Sequence, residues 1–283
     1  GIPLGLEFYY YEKTVTQSVQ GLGPLTTASY DDFTALDAFA RAVDVLTYES
    51  ENIPKETLEY LLENNSTISP KMGIFLPETY RMHPDICGLI SNQIYDSRLN
   101  AAEITNRHIV NEPKEILPIK HGIHFVPVIH KGNTQSSEEE VAVIKNLAEN
   151  LIQSPYWPKN EGGKTRFIGW PDILIVAPYN YQVNLLKAAL SPDAKVGSVD
   201  KFQGQEAPIV FLSMCASDAN ESPRGIEFLF SKNRLNVAIT RAQSLVIIVG
   251  SPELAKTSAN NLNQMELINF FSEIVNYGNK NSN

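Results

Sequence analysis

Three stretches of this sequence are apolar almost throughout: DILIVA at 172–177, APIVFLSM at 207–214 and SLVIIVG at 244–250. Successive side chains of a strand point to opposite faces of its sheet, so a strand with one wet face alternates apolar and polar residues. Strands that are apolar at nearly every position are covered on both faces, which is the signature of a buried parallel sheet. Shorter runs join them: GIFL at 73–76, IHFVPVI at 123–129 and VGSV at 196–199. Pro127 places the second of these at a sheet edge or at an irregular strand end, because proline cannot donate to a ladder.

Helical patterns lie between these runs. Pro84 stands at a first helical position, and Ile86, Leu89, Ile90 and Ile94 follow as an apolar stripe. Ser137 and Glu140 have the spacing of a capping box before VAVIKNLAENLI. Further helices are expected around Gln182–Leu190, Arg234–Ala242 and Asn263–Tyr277. Strand and helix alternate, so residues 71–283 should form a three-layer α/β domain with a mainly parallel sheet. Such sheets carry ligands beyond the carboxyl ends of their strands. On that rule the loops after Leu76, Ala177, Val199 and Met214 share one rim.

Residues 1–70 have a different texture. Asp31–Ser50 reads as one amphipathic helix, Pro54 starts another, and 22–28 and 64–70 read as loops. This segment is expected to be mostly helical, a tail or insertion of a preceding domain. The chain opens on Gly rather than Met, and is read as a fragment of a longer protein.

Composition narrows the function classes. Two cysteines, Cys87 and Cys215, show no metal-ligand spacing, His108, His121, His124 and His130 show none either, and His83 is read as orienting the TYRMHP turn. No apolar run is long enough to span a bilayer, so no membrane partner and a cytoplasmic location are expected. The net charge of −9 weighs against nucleic-acid binding, unless a local basic track opposes the total.

Three constellations carry chemistry. The first is LPETYRMHP at 76–84, where a strand end would deliver Tyr80 and Arg81 ahead of a helix. Arginine's planar fork of donors suits phosphate oxygens, and a tyrosine ring suits a base. The second is VDKFQGQE at 199–206, with Gln203 and Glu206 as hydrogen-bonding groups around Gly204. The third is NRLNVAITRA at 233–242, where Arg234 and Arg241 are expected on one side of a helix, roughly 10 Å apart. Each alone is equally a capped turn, a polar turn or a solvated basic face.

Their order is more specific than any one of them. TYRMHP, APYNYQ at 177–182, SVDKFQGQE at 198–206 and RLNVAITRA at 234–242 together resemble the second RecA-like (P-loop NTPase-type) domain of superfamily 1 helicases. The subgroup they resemble holds RNA-surveillance and replication-linked helicases, and the likeness covers about residues 71–253. It implies that Tyr80 stacks on adenine, that Arg81 and Arg241 reach the γ-phosphate as arginine fingers, and that Glu206 meets the ribose with Gly204 near the triphosphate. Pro178, Tyr179, Ser198 and Val199 would lie against single-stranded DNA or RNA. Arg234 would be a phosphate contact or an ion-pair partner.

No P-loop and no Asp-Glu pair for magnesium is found. GGKT at 162–165 has Pro158 where the motif needs glycine, and no strand precedes it. The resemblance therefore implies half of an ATP site, whose Mg2+ ligands and other wall belong to an N-terminal RecA-like domain of the same protein. The fragment alone should be inactive. The competing reading is a non-catalytic RecA-like scaffold or nucleic-acid-binding domain, which the acidic charge favours.

Overall fold

The computed structural model describes residues 7–14, 23–44, 46, 53–64, 76–111, 117, 120–156, 166–202 and 204–280. The chain divides into two compact units, Gly1–Phe75 and Leu76–Asn283.

In the first unit, β1 (Tyr10–Glu12) and β2 (Leu25–Thr27) pair in parallel. A strand therefore stands inside the segment expected to be a loop; three residues are too few to show a period. Helix α1 (Phe33–Arg41) is capped by the Asp32 carboxylate and ends at Ala42, well short of the expected Ser50. Residues 47–50 lie outside the described residues. Helix α2 (Lys55–Asn64) follows Pro54 as expected. Leu36, Ala40 and Leu61 form the small core.

The second unit opens with β3 (Glu78–Thr79), α3 (Pro84–Ile94) and β4 (Asn100–Ala101), in which β3 pairs only with β4. Then come β5 (Gly122–Pro127), α4 (Glu138–Leu151) and the small antiparallel pair β6 (Pro155–Tyr156) and β7 (Arg166–Phe167). They are followed by β8 (Ile173–Val176), α5 (Asn180–Ala189), β9 (Lys195–Gly197) and β10 (Ala207–Ser213). Helices α6 (Gly225–Leu229) and α7 (Lys232–Ile239), strand β11 (Ala242–Gly250) and α8 (Leu262–Lys280) complete the unit.

Five strands form one parallel sheet in the order β5-β11-β10-β8-β9. Strand β5, which ends at Pro127, is an edge, as the proline allowed. The apolar runs feed two cores by strict alternation. Leu174, Val176, Val210, Leu212, Val246 and Ile248 pack against α3, α7 and α8. Ile173, Ile175, Ile209, Phe211, Leu245 and Ile247 pack against α4 and α5. This is the three-layer α/β architecture that the uninterrupted strands demanded.

One buried carboxylate ties the second core to the carboxyl edge of the sheet. Ser137 caps α4 by accepting from the Glu140 N–H at 3.1 Å, but the Glu140 side chain does not complete the expected box. It is fully buried and takes the Ser213 hydroxyl at 2.6 Å, the Cys215 N–H at 2.9 and 3.0 Å, and His130 Nε2 at 3.0 Å. The expected N–H of Ser137 is instead taken by Gln182 Oε1 on α5. Cys215 is held at φ 53°, a left-handed conformation that β10 leaves to reach the next loop. Glu140→Ala should cost about 3–5 kcal/mol, because it strands buried donors without water. Urea unfolding of this chain checks it; a cost below about 1 kcal/mol would show that the loop tolerates losing the carboxylate.

Candidate functional site

The residues singled out by the motifs fall on two opposite edges of the sheet. Ala207 and Ala242 begin β10 and β11, and beside them sit Glu206 and Arg241. Arg81 joins this amino edge: its Nε donates to Glu206 Oε2 at 2.6 Å and its Nη1 to the Thr240 carbonyl at 3.2 Å. The TYRMHP loop was expected on the carboxyl rim. Among the described residues β3 pairs with β4 and not with the central sheet, while residues 73–75 of the expected GIFL strand lie outside the described residues.

The amino-edge cluster is framed by residues that no motif flagged. Gln243 Nε2 donates to Glu206 Oε1 at 2.8 Å, and the Tyr156 hydroxyl donates to Gln243 Oε1 at 2.8 Å. His108 Nδ1 lies 2.9 Å from the Arg81 carbonyl and 3.3 Å from that of Gln243, so this nitrogen carries the hydrogen. The His83 N–H donates to the Gln243 carbonyl at 2.8 Å. Tyr156 is fully buried, and burial raises its phenol well above the usual range. The one sequence signal available was Gln243, a polar residue near the start of an otherwise apolar strand. Tyr156, far away in sequence, gave none.

Tyr80 is 55% exposed, beside Arg81, with its ring open to solvent. Arg241 was expected within a helix, but α7 ends at Ile239, capped by Thr240. Arg241 therefore sits past the helix, its Nε donating to the Val237 carbonyl at 3.0 Å and its Nη1 to the Gln205 carbonyl at 3.4 Å. Gly204 has φ 78°, with no atom within 4 Å of where a Cβ would stand. Backbone conformation, and not crowding, is what glycine answers there. Gln203 lies outside the described residues, as does GGKT at 162–165.

The carboxyl edge holds the other set. Pro178 follows β8 and Ser198 follows β9, and both are half-buried at the surface. Tyr179 and Val199 are 6% and 8% exposed, so their side chains offer little surface to a strand. The Tyr179 ring packs into the first core and its hydroxyl bonds to the Ser222 hydroxyl. Val199 begins a short 3-10 turn, Val199–Phe202, and does not end the strand. Arg234 is on this edge too, at the opposite end of α7 from Arg241. It pairs with Asp200 at 3.5 Å, and its guanidinium lies 4.3 Å from the Phe228 ring centre.

The sequence showed no metal-ligand spacing, yet folding brings His83, Asp85 and His121 within 4.8 Å of one another. The arrangement serves a helix start. His83 Nδ1 accepts from the Asp85 N–H at 3.2 Å and so caps α3. The two imidazoles stack with centres 4.0 Å apart and a 23° tilt. Rings stacked face to face cannot both aim a lone pair at one ion. His121 Nδ1 is 2.7 Å from Asp85 Oδ2, at ion-pair distance but out of line for a hydrogen bond.

With this geometry in hand, comparison with known proteins places the chain. A family model described as AAA domain matches residues 55–253. A second, described as ribonucleotide synthetase preATP-grasp domain, matches residues 1–75. The chain is 31% identical over 203 residues to putative helicase mov-10-B.1 of Danio rerio, covering 64% of this chain and 20% of that protein. It is 35% identical over 193 residues to helicase sen1 of Schizosaccharomyces pombe, covering 63% of this chain and 11% of that one. Among solved structures, an arterivirus nonstructural protein 10 (helicase) aligns over 86% of this chain and 38% of its own, at TM-score 0.33 and 16% identity. The chain belongs to the AAA domain family. Within it, the chain is a superfamily 1 helicase-type domain, and it spans a fifth or less of the two relatives' lengths.

The histidine cap gives this site a pH dependence. Burial, reinforced by the neighbouring His121, lowers the His83 pKa to about 4. In the unfolded chain a histidine titrates near 6.5. Below that value the unfolded chain takes up a proton that the folded chain refuses, so stability should fall as pH drops from about 6.5 toward 4. His83→Asn keeps an acceptor for the Asp85 N–H and should flatten this part of the profile in thermal melts. An unchanged slope would assign the dependence to other groups.

Proposed function

We propose that this chain is the C-terminal motor domain of an ATP-dependent nucleic-acid helicase or translocase. It supplies Arg81 and Arg241 to an ATP site shared with an N-terminal RecA-like domain. The observation that carries the reading is the convergence at the amino edge of the sheet. Three segments far apart in sequence bring Arg81, Glu206 and Arg241 onto one frame, with Arg81 fastened to Glu206 at 2.6 Å and to Thr240 at 3.2 Å. A finger is effective when the backbone that carries it is held firmly, and the Arg81 carbonyl is held by His108 Nδ1 at 2.9 Å.

In this reading the Arg81–Glu206 pair is the resting arrangement. Glu206 is to meet a ribose and Arg81 a γ-phosphate, groups at opposite ends of a nucleotide. The two residues cannot serve both and remain bonded to each other. Nucleotide binding therefore exchanges the partners: the ribose hydroxyls take over the carboxylate, and Arg81 swings to the phosphate. Gln243, anchored by Tyr156, keeps the Glu206 carboxylate in place during the exchange. Tyr80, exposed beside Arg81, offers its ring to the adenine. Arg241 is steadied by the Val237 and Gln205 carbonyls, neither of which cancels its charge.

Magnesium, when bound, would neutralise the charge that develops on the phosphates in a reaction of this type. It asks for oxygen ligands in octahedral array. The ligand cluster found among the described residues is two parts imidazole and does not fit it. The Mg2+ ligands are accordingly assigned to the other motor domain. Single-stranded DNA or RNA is assigned to the opposite, carboxyl edge, over Pro178, Ser198 and the backbone of Val199. A hydroxyl such as that of Ser198 contacts phosphate without reading sequence.

The test uses the complete protein. Arg81→Ala and Arg241→Ala should each lower strand-stimulated ATP turnover by about 10³-fold or more, as loss of a finger does. Affinity for an oligonucleotide should stay within a few-fold. Undiminished turnover would refute the finger assignment, and equal loss of turnover and strand binding would point to a scaffold role.

A further inference from the structure

The chain carries a net charge of −9, yet the proposed strand is a polyanion. Electrostatic attraction to phosphates supplies much of the affinity for nucleic acid, so the carboxyl edge needs a local positive feature. None of Pro178, Tyr179, Ser198 and Val199 provides one. The loop that leaves β10 and leads to α6 does.

Arg224 closes that loop. It is exposed, and its guanidinium lies 3.7 Å from the centre of the Phe228 ring. Arg234 approaches the same ring at 4.3 Å. The two arginines differ in their partners. Arg234 has Asp200 at 3.5 Å, whereas Arg224 makes no ion pair with any carboxylate among the described residues. Phe228 is itself fixed. Its ring sits 5.2 Å from that of Tyr179, whose hydroxyl is bonded to Ser222, two residues before Arg224. Phe228 also borders a small hollow with Pro178 and Val199, so the stacked pair stands directly beside the proposed strand path.

An exposed arginine ordinarily samples many rotamers, and ordering it on binding costs conformational entropy. Stacking on an aromatic face removes much of that freedom and turns the N–H edge outward. That edge matches the spacing of two phosphate oxygens. A pre-ordered, uncompensated guanidinium at the margin of an acidic domain is suited to an anion that arrives repeatedly along a path.

We propose that Arg224, held on Phe228, is a backbone-phosphate contact for single-stranded nucleic acid crossing the carboxyl edge. This rests on the assignment of that edge to the strand. Because the contact is to phosphate, it should act on DNA and RNA alike and should not select sequence.

The experiment measures binding of the complete protein to fluorescent oligo-dT and oligo-rU by anisotropy across a salt series. Arg224→Glu should weaken both about tenfold at low salt. It should also reduce the slope of log affinity against log salt by about 0.7, the value of one phosphate contact on a single strand. Arg224→Lys should retain the slope, and Phe228→Leu, which removes the stacking platform, should weaken binding less than Arg224→Glu. Equal affinity and slope for wild type and Arg224→Glu overturns the inference and leaves the edge assignment standing. A wild-type protein that binds neither oligonucleotide overturns both. Competition by polyglutamate as strong as that of oligo-dT of equal charge would also overturn it, since the surface would then be a general anion site.

Discussion

The Arg81 guanidinium and the Glu206 carboxylate meet at 2.6 Å although 125 residues separate them in sequence. Each is about one-third exposed, so solvent screens the attraction, and its contribution to stability is small. Its importance is positional. Arg81 also reaches Thr240, Glu206 is gripped by Gln243, and His83 and His108 bond to the Gln243 carbonyl. In the resting state the front loop, the residues before β10 and the residues opening β11 are thereby tied into one frame, and the His83 and His108 bonds to the Gln243 carbonyl keep the front loop on β11 when Arg81 leaves Glu206. If any of the three moved independently, the two arginines would have no fixed relation.

The sheet separates this frame from the other functional edge. Parallel strands place every amino end on one side and every carboxyl end on the other. The amino ends of β10 and β11 carry the residues proposed to meet the nucleotide. The carboxyl ends of β8, β9 and β10 carry those proposed to meet the strand. Helix α7 runs between them, with Arg234 near its start and Arg241 just past its end. The loop after β10 is locked by Glu140, which fixes the Cys215 backbone and anchors α4 to the sheet. The proposed motor role needs force to pass from one edge to the other, and a helix and strands packed into two close-packed apolar cores deform little under load.

The large features were legible because they rest on local pattern. Ile173–Val176 and Ala207–Ser213 read as covered strands, and of the two places that Pro127 allowed, an edge or an irregular end, β5 shows both, since Pro127 is the last residue of an edge strand. What failed depended on distant partners or on short elements. Strand β2 has three residues and no period to read. The end of α7 was placed too late because Thr240 and Arg241 fit a helix as well as its cap. Glu140 was correctly suspected as part of a helix start, but its bonds to Ser213, Cys215 and His130 arise only when β10 lies beside α4. The two arginine motifs were visible one at a time; that Arg81 rests on Glu206, and that Tyr156 stands behind Gln243, is a consequence of folding. Burial of Tyr179 likewise arises on folding and is not visible in APYNYQ.

The central claim is that Glu206 exchanges Arg81 for a ribose when nucleotide binds. ADP isolates this step, since it has the ribose and lacks the γ-phosphate. The decisive measurement is ADP affinity of the complete protein, by calorimetry, for Arg81→Met in the wild-type and Glu206→Gln backgrounds. Tighter ADP binding is expected when Arg81 is removed from the wild type, because the carboxylate no longer has a partner to release. No such gain is expected once Glu206 is Gln. Weaker binding, or the same change in both backgrounds, would contradict the exchange.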